Sequence, residues 1–242
     1  MKSGSRPTKL QGESKVRGPA PKPRRSPQSN GPDGAEAAAH DPSLVLSVGH
    51  STRPLADFLN LLQAHAATLI ADVRTVPRSR HNPQFNQDTL AAAARHAGIQ
   101  YVHFPGLGGL RHAQRDSVNT GWQNASFRGF ADYMQTPPFA QSLDALIKLT
   151  QRERVVLMCA EAVPWRCHRS LIADALLVRG IRTEDIMSPT RRAVHRLTSF
   201  AQVRGTTITY PAANPAGAQP QPAPKSRRPQ TVPARHDRFP DF

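Results

Sequence analysis

Residues 154–180 read RVVLMCAEAVPWRCHRSLIADALLVRG and contain both cysteines of the chain. The apolar, β-branched run at 154–158 predicts a buried strand that ends directly before the first cysteine. Residues 168–179 carry apolar side chains at helical spacing, and Gly180 is typical of the position just after a helix. The stretch therefore predicts a strand, a polar loop and a helix, which is the repeating unit of α/β proteins.

The same alternation extends through the middle of the chain. Further strands are predicted at 44–48, 68–73, 99–104, 181–187 and 206–210. Amphipathic helices are predicted over 54–62, over 87–97, from Phe127 and from Pro137. This order favours a single compact α/β domain with a mainly parallel, Rossmann-like sheet and helices on both of its faces.

Composition separates this domain from the two ends of the chain. The 242 residues include 32 Lys and Arg against 17 Asp and Glu, and 15 of the 23 prolines lie at 1–42 and 211–242. Such segments bury too little apolar surface to offset their ordering entropy, so we expect disordered, basic, Pro-rich tails around a folded domain at 43–210. Two cysteines exclude a secreted disulfide framework, and no apolar stretch suits a membrane span or a signal peptide. We therefore expect a cytoplasmic protein without a membrane partner.

Chemically reactive residues follow the predicted strands at the points where the strands end. Because the carboxyl ends of parallel strands meet at one edge of a sheet, ligands bind at that edge. The candidate site residues are His50, Ser51 and Arg53 after the first strand, Asp72, Arg74, Asn82 and Phe85 after the second, and Cys159, Glu161, Cys167, His168 and Arg169 after 154–158. We expect them to form one pocket.

The segment from Cys159 to His168 is the richest in chemistry. A helix N-terminus and neighbouring arginines stabilise a thiolate, so either Cys159 or Cys167 suits a nucleophilic or redox thiol. His168 or Glu161 would then carry protons. Two alternatives remain open: a binding pocket in which the cysteines only pack, and two ordinary buried cysteines.

A metal site is a further interpretation of the same residues. It would combine Cys159, Cys167 and His168 with a distant ligand such as His50 or Asp72. Structural zinc sites commonly use cysteines two to four residues apart, whereas these two lie eight apart. We therefore assign no metal ligand.

The remaining candidates each allow a structural and a functional interpretation. Asp72 and Arg74 either pair with each other or bind a ligand, and an arginine there suits a phosphate or carboxylate. His50 is a general base or a helix cap, and Phe85 anchors its loop or stacks on a planar ligand. Residues 106–122 show no periodicity, which is typical of a lid or of a poorly ordered loop.

Several short motifs carry a resemblance to a known family. They are Gly49-His50-Ser51, Asp72-Val73-Arg74 with Pro77 and Ser79, Asn82-Pro83-Gln84-Phe85-Asn86, Leu107-Gly108-Gly109, Phe127 to Met134, Cys159-Ala160-Glu161 and Cys167-His168-Arg169. Together they resemble the bacterial domain of unknown function 488 family over about residues 44–187. The resemblance implies a single compact α/β domain, and it implies no established activity.

The sequence thus predicts a small enzyme with a thiol-containing polar pocket. Its expected substrate is anionic, with nucleotides and nucleic-acid fragments as candidates. The alternative is a non-catalytic nucleic-acid-binding accessory protein, whose binding would weaken steeply with salt and survive Cys159→Ala. The sequence assigns no cofactor and no oligomeric state.

Overall fold

The computed structural model describes residues 40–212. Apart from their innermost residues, the tails predicted at 1–42 and 211–242 lie outside the described residues. Within 40–212, no helix is both long and apolar enough to cross a lipid bilayer.

A six-stranded sheet forms the centre of the described domain. Its strands are β1 (Leu44–Gly49), β2 (Leu69–Asp72), β3 (Gln100–His103), β4 (Val155–Cys159), β5 (Arg182–Ser188) and β6 (Arg191–Val194). They lie in the order β3-β2-β4-β1-β5-β6, with all neighbours parallel except β5 and β6. This confirms the predicted α/β class and the mainly parallel sheet.

Five helices flank the sheet. They are α1 (Leu55–Ala64), α2 (Gln87–His96), α3 (Ala125–Tyr133), α4 (Pro137–Thr150) and α5 (Arg169–Leu177). Apolar residues of α1 and α2 pack on one face of the sheet, and those of α3, α4 and α5 pack on the other. Helices on both faces bury all of β4 and all of β1 except Leu44, which explains the near-continuous apolar sequences of these two strands.

Strand β4 shows how this packing positions a cysteine. Side chains alternate between the two faces of a strand, so Val156 and Met158 contact the α1–α2 layer while Leu157 and Cys159 contact the α3–α5 layer. Cys159 therefore faces α5, the helix that Cys167 precedes.

The C-terminal part of the domain differs from the prediction. The segment predicted as a strand at 206–210 forms β8 (Thr207–Thr209), which pairs with β7 (Gln202–Arg204) in a separate two-stranded hairpin. Strands β6 and β7 are additional to the prediction, and every residue in both is exposed. An exposed strand carries no apolar alternation by which a sequence could reveal it.

The long loop before α3 is anchored to that helix. The carboxylate of Asp132 accepts hydrogen bonds from Gln114 N at 2.8 Å, Ser117 Oγ at 2.5 Å and Asn119 Nδ2 at 2.7 Å. Asn119 is fully buried. Polar contacts thus hold this segment although its sequence has no periodicity, and its role as a lid or a poorly ordered loop stays a prediction.

Candidate functional site

The candidate site lies where three neighbouring parallel strands end. Gly49 at the end of β1 pairs with Cys159 of β4, and Asp72 at the end of β2 pairs with Met158. The chain continues from β1 into α1 on one face of the sheet and from β4 into α5 on the other, so the connections change faces at this edge and a crevice lies there.

A cavity of about 460 Å³ occupies this crevice. Six of the twelve sequence-predicted site residues line it: His50, Arg74, Cys159, Glu161, Cys167 and His168. Its other lining residues are Thr75, Val76, Arg78, Ser79, Gly109, Leu110, Ser126, Phe127, Ala160 and Arg166. The volume is within the usual range of small-molecule sites.

Close approach of two backbone segments shapes one wall. A Cβ on Gly49 would lie 1.9 Å from the carbonyl oxygen of Glu161, so only glycine fits between β1 and the loop after β4. The backbone N–H groups of His50 and Ser51 donate to the carbonyls of Cys159 and Ala160 at 2.9 and 3.0 Å. These bonds hold the loop that carries Cys159 against the end of β1.

Cys167 lies between two cationic or proton-bearing groups. Its Sγ is 3.7 Å from Nδ1 of His168 and accepts a hydrogen bond at 3.4 Å from Nε of Arg169. Arg169 is 1 % exposed and donates its other N–H groups to Ser47 Oγ at 3.1 Å and to the Glu161 carbonyl at 2.7 Å. Among residues 40–212, no carboxylate oxygen lies within 4.0 Å of this guanidinium. A thiolate at Cys167 therefore supplies the anion in contact with a buried cation.

The imidazole of His168 is held in one orientation. A carbonyl oxygen only accepts hydrogen bonds, so the 2.9 Å contact with Val73 O places a proton on Nε2 and turns Nδ1 toward Cys167. On the other side of the ring, a Cβ on Gly109 would lie 2.5 Å from Nδ1. Only a glycine backbone can pack this closely against the imidazole.

The sulfurs of Cys159 and Cys167 lie side by side. Sγ of each and a ring nitrogen of His168 all lie within 4.8 Å of one another. The neighbouring Cys159 thiol lowers the pKa of Cys167 well below its ordinary value, and His168 and Arg169 lower it further, against the effect of burial. The neighbouring Cys167, together with burial, raises the pKa of Cys159. Both effects favour a thiolate at Cys167 and a protonated thiol at Cys159.

Asp72, Arg74 and His50 form a second buried group beside the cavity. Arg74 donates through Nε and Nη2 to the Asp72 carboxylate at 2.9 and 2.5 Å, and its Nη1 donates to His50 Nε2 at 3.3 Å. Tyr101 donates to the same carboxylate at 2.6 Å. Asp72 is fully buried, whereas Arg74 lines the cavity. Of the five N–H groups of Arg74, one on Nη1 and one on Nη2 remain available to a ligand.

His50 supports this arginine as a neutral ring. Its Nδ1–H donates to the Ser51 carbonyl at 2.8 Å, which leaves Nε2 to accept from Arg74. Burial lowers the pKa of His50 to about 4, and the charge of Arg74 also lowers it. Phe85 is fully buried and stacks on the imidazole with ring centroids 4.1 Å apart. Phe85 therefore anchors its loop and supports His50 from behind.

Three predicted residues lie elsewhere. Arg53 donates to the Gly49 carbonyl, and Asn82 donates its backbone N–H to Ser79 Oγ at 3.0 Å. Neither these two residues nor the Ser51 side chain line the cavity. They belong to the loops that support it.

The open side of the cavity combines positive charge with apolar surface. Arg78 and Arg166 are exposed there and add to the charge of Arg74, whereas Glu161 is the single acidic lining residue within 40–212. The apolar lining residues were not predicted: Val76, Leu110 and Phe127. They lie in loops or at a helix start, where the sequence carries no periodic signal.

Cys159, Cys167 and His168 are the residues in 40–212 that could hold a soft metal ion. The ligands suggested from the sequence to complete such a site do not do so. Both Asp72 oxygens accept from Arg74, and so does Nε2 of His50. To bind a metal, Cys159 would also have to lose its proton, although its pKa is raised. The metal would add a second positive charge next to the guanidinium of Arg169, which contacts Cys167. The arrangement therefore suits thiol chemistry better than metal binding.

Comparison with known proteins gives one match. A family model described as "Domain of unknown function DUF488" matches residues 54–176. The matched stretch begins after His50 and contains Arg74 and both cysteines. No curated protein and no solved structure matches the chain.

Proposed function

The chain belongs to the DUF488 family, which is described only as a domain of unknown function, so we propose a function from the cavity itself. We propose that the protein is a small thiol enzyme in which Cys167 attacks an anionic substrate. A cytoplasmic location is part of the proposal, because thiols are kept reduced there and Cys167 acts only in its reduced form.

One observation carries the proposal: Cys167 Sγ contacts both His168 Nδ1 and Arg169 Nε on the wall of the cavity. Covalent catalysis usually combines a nucleophile with a partner that accepts its proton, and a third group orients that partner. Here the partner is His168, and the Val73 carbonyl orients it. Nδ1 faces Cys167 Sγ and is the position from which a proton can pass to a leaving group.

The cavity lining defines the class of substrate. The two available N–H groups of Arg74 suit two oxygens of a phosphate or carboxylate. Arg78 and Arg166 extend the positive charge toward solvent, and Val76 and Leu110 offer exposed apolar surface beside it. A substrate with an anionic group and a flat apolar part matches this lining, as a nucleotide does. The cavity size favours one small molecule over a nucleic-acid chain.

The charge selectivity of alkylation tests this assignment. Iodoacetamide is neutral and iodoacetate is an anion of similar size, so the ratio of their rates at Cys167 reports the local potential. We expect labelling of Cys167 at pH 7, with an iodoacetate-to-iodoacetamide ratio well above that of a free small thiol. The double substitution Arg78→Gln, Arg166→Gln should lower the ratio, because it removes two cations from the rim.

Arg152 provides the matched control. It is exposed and does not line the cavity, so Arg152→Gln changes the net charge without changing the site. The control variant should keep the wild-type ratio. Absence of Cys167 labelling at pH 7, or equal ratios in the rim variant and the control, would contradict the proposed function.

A further inference from the structure

We propose that Cys159 is the resolving thiol of this site, and that the site reduces small anionic disulfides by forming a Cys159–Cys167 disulfide. This inference rests on the proposed function, because it requires Cys167 as the nucleophile. It adds the reaction class and gives Cys159 a role of its own.

The positions of the two sulfurs are the first support for a resolving role of Cys159. They lie within 4.8 Å of each other, so the two sulfurs must close by no more than about 2.8 Å to reach disulfide bond length. Cys159 ends a buried strand, whereas Cys167 follows the short 3-10 turn Pro164–Arg166. Residues 160–162, between the strand and that turn, are exposed. Rotation of the Cys167 side chain toward Cys159 is the movement that would close this distance.

The difference between the two cysteines is the second support. A resolving thiol should be protonated before the nucleophile has reacted with substrate, and it should lie next to the sulfur that it later attacks. Cys159 meets both conditions, since its Sγ lies within 4.8 Å of Cys167 Sγ and of a ring nitrogen of His168, and the neighbouring Cys167 together with burial raises its pKa.

The lining supports an anionic disulfide as the substrate. Arg74 and Arg166 line the same cavity as the two cysteines. Phe127 and Leu110, which also line it, supply apolar contact for an organic group. An aromatic or aliphatic disulfide that carries a carboxylate or phosphate combines these features.

The reaction balances in two steps. The Cys167 thiolate attacks one sulfur of the substrate, its disulfide bond breaks, and the first thiol leaves with the proton of His168 Nδ1. The neutral Nδ1 then takes the proton of Cys159, whose sulfur attacks Cys167 Sγ. The second thiol leaves with that proton, and the Cys159–Cys167 disulfide remains. The substrate gains two electrons from the dithiol, and two molecules of an external thiol reduce the protein again and leave as their disulfide.

Dithiobis(nitrobenzoate) is a suitable probe, because it is an aromatic disulfide with a carboxylate on each ring and its product thiolate is coloured. We add one equivalent to the reduced full-length chain. The wild type should release two coloured thiolates and should lose two hydrogens in mass, with no adduct. Cys159→Ser should release one thiolate and retain a mixed disulfide on Cys167. Cys159→Ala gives a second test of the same position if the serine variant folds poorly.

The outcomes separate this inference from the proposed function. If Cys167→Ser reacts as fast as the wild type, Cys167 is not the nucleophile and the proposed function fails. If Cys167→Ser is slow but the wild type keeps the adduct, Cys167 is the nucleophile and Cys159 does not resolve it. Because these are the only two cysteines of the chain, each product is assigned from intact mass and thiol count.

Discussion

The buried guanidinium of Arg169 gives the sharpest prediction. Its Nε lies 3.4 Å from the Cys167 sulfur, and at an effective dielectric constant of about 20 this separation corresponds to an attraction of about 5 kcal/mol. That value is a ceiling, because Cys159 and His168 still donate to the thiolate and water enters the variant site. An adjacent opposite charge typically shifts a pKa by about one to three units. We expect Arg169→Gln to raise the pKa of Cys167 by that amount.

A charge-preserving variant separates electrostatics from packing. Arg169→Lys keeps the positive charge but loses the fork that also binds Ser47 and the Glu161 carbonyl. It should therefore shift the pKa much less than Arg169→Gln. The assay is the iodoacetamide rate at Cys167 across a pH series, with the site identified by peptide mass spectrometry.

The control for this comparison is Arg179→Gln. Arg179 belongs to the turn after α5 and donates to the Ala175 carbonyl at 2.9 Å, away from the cavity. It should leave the pH profile unchanged. If the folded glutamine and lysine variants of Arg169 share the wild-type profile, the thiolate does not depend on this cation and the reasoning is refuted.

Two further predictions concern the group around Arg74. The pKa of His50 is lower in the folded chain than the usual 6.5, so the unfolded chain binds the proton first, and stability falls as the pH drops from 6.5 to about 4. In urea unfolding, the free energy of unfolding of the wild type should fall by about 3 kcal/mol more over that range than that of His50→Gln. If the two proteins show the same pH dependence, His50 titrates normally. Asp72→Asn should lower the free energy of unfolding by about 3–5 kcal/mol, because it leaves the cation of Arg74 buried without its partner. The exposed pair of Asp41 with Arg182 is the comparison, and Asp41→Asn should cost less than about 1 kcal/mol.

The sequence predicts the sheet edge well because two independent signals coincide there. Apolar runs mark β1, β2 and β4, and the residues after them are glycine, histidine, aspartate and cysteine rather than ordinary loop residues. Parallel strands bring such residues together without any knowledge of the loops. His50 and Cys159 accordingly line one cavity, and Asp72 is buried beside it as the partner of Arg74.

The roles within the crevice depend on contacts that the sequence does not encode locally. Arg169 was expected to hold a ligand, but it is buried and contacts Cys167 and the loop after β4. Gly109 reaches His168 because a long loop without periodicity is tied to Asp132. Such tertiary contacts also make the pKa of Cys167 lower than that of Cys159. The residues next to each cysteine in the sequence do not predict which of the two has the lower pKa.

The proposed chemistry requires that Cys167 is a thiolate while its neighbour Cys159 is a protonated thiol. Labelling with ¹³Cβ-cysteine gives two resonances, assigned with Cys159→Ser and Cys167→Ser, and their shifts report ionisation directly. Across a titration from pH 5 to pH 9, we expect Cys167 to stay a thiolate and Cys159 to stay a thiol throughout. Two resonances that both titrate near the ordinary thiol pKa of about 8.5 would contradict it.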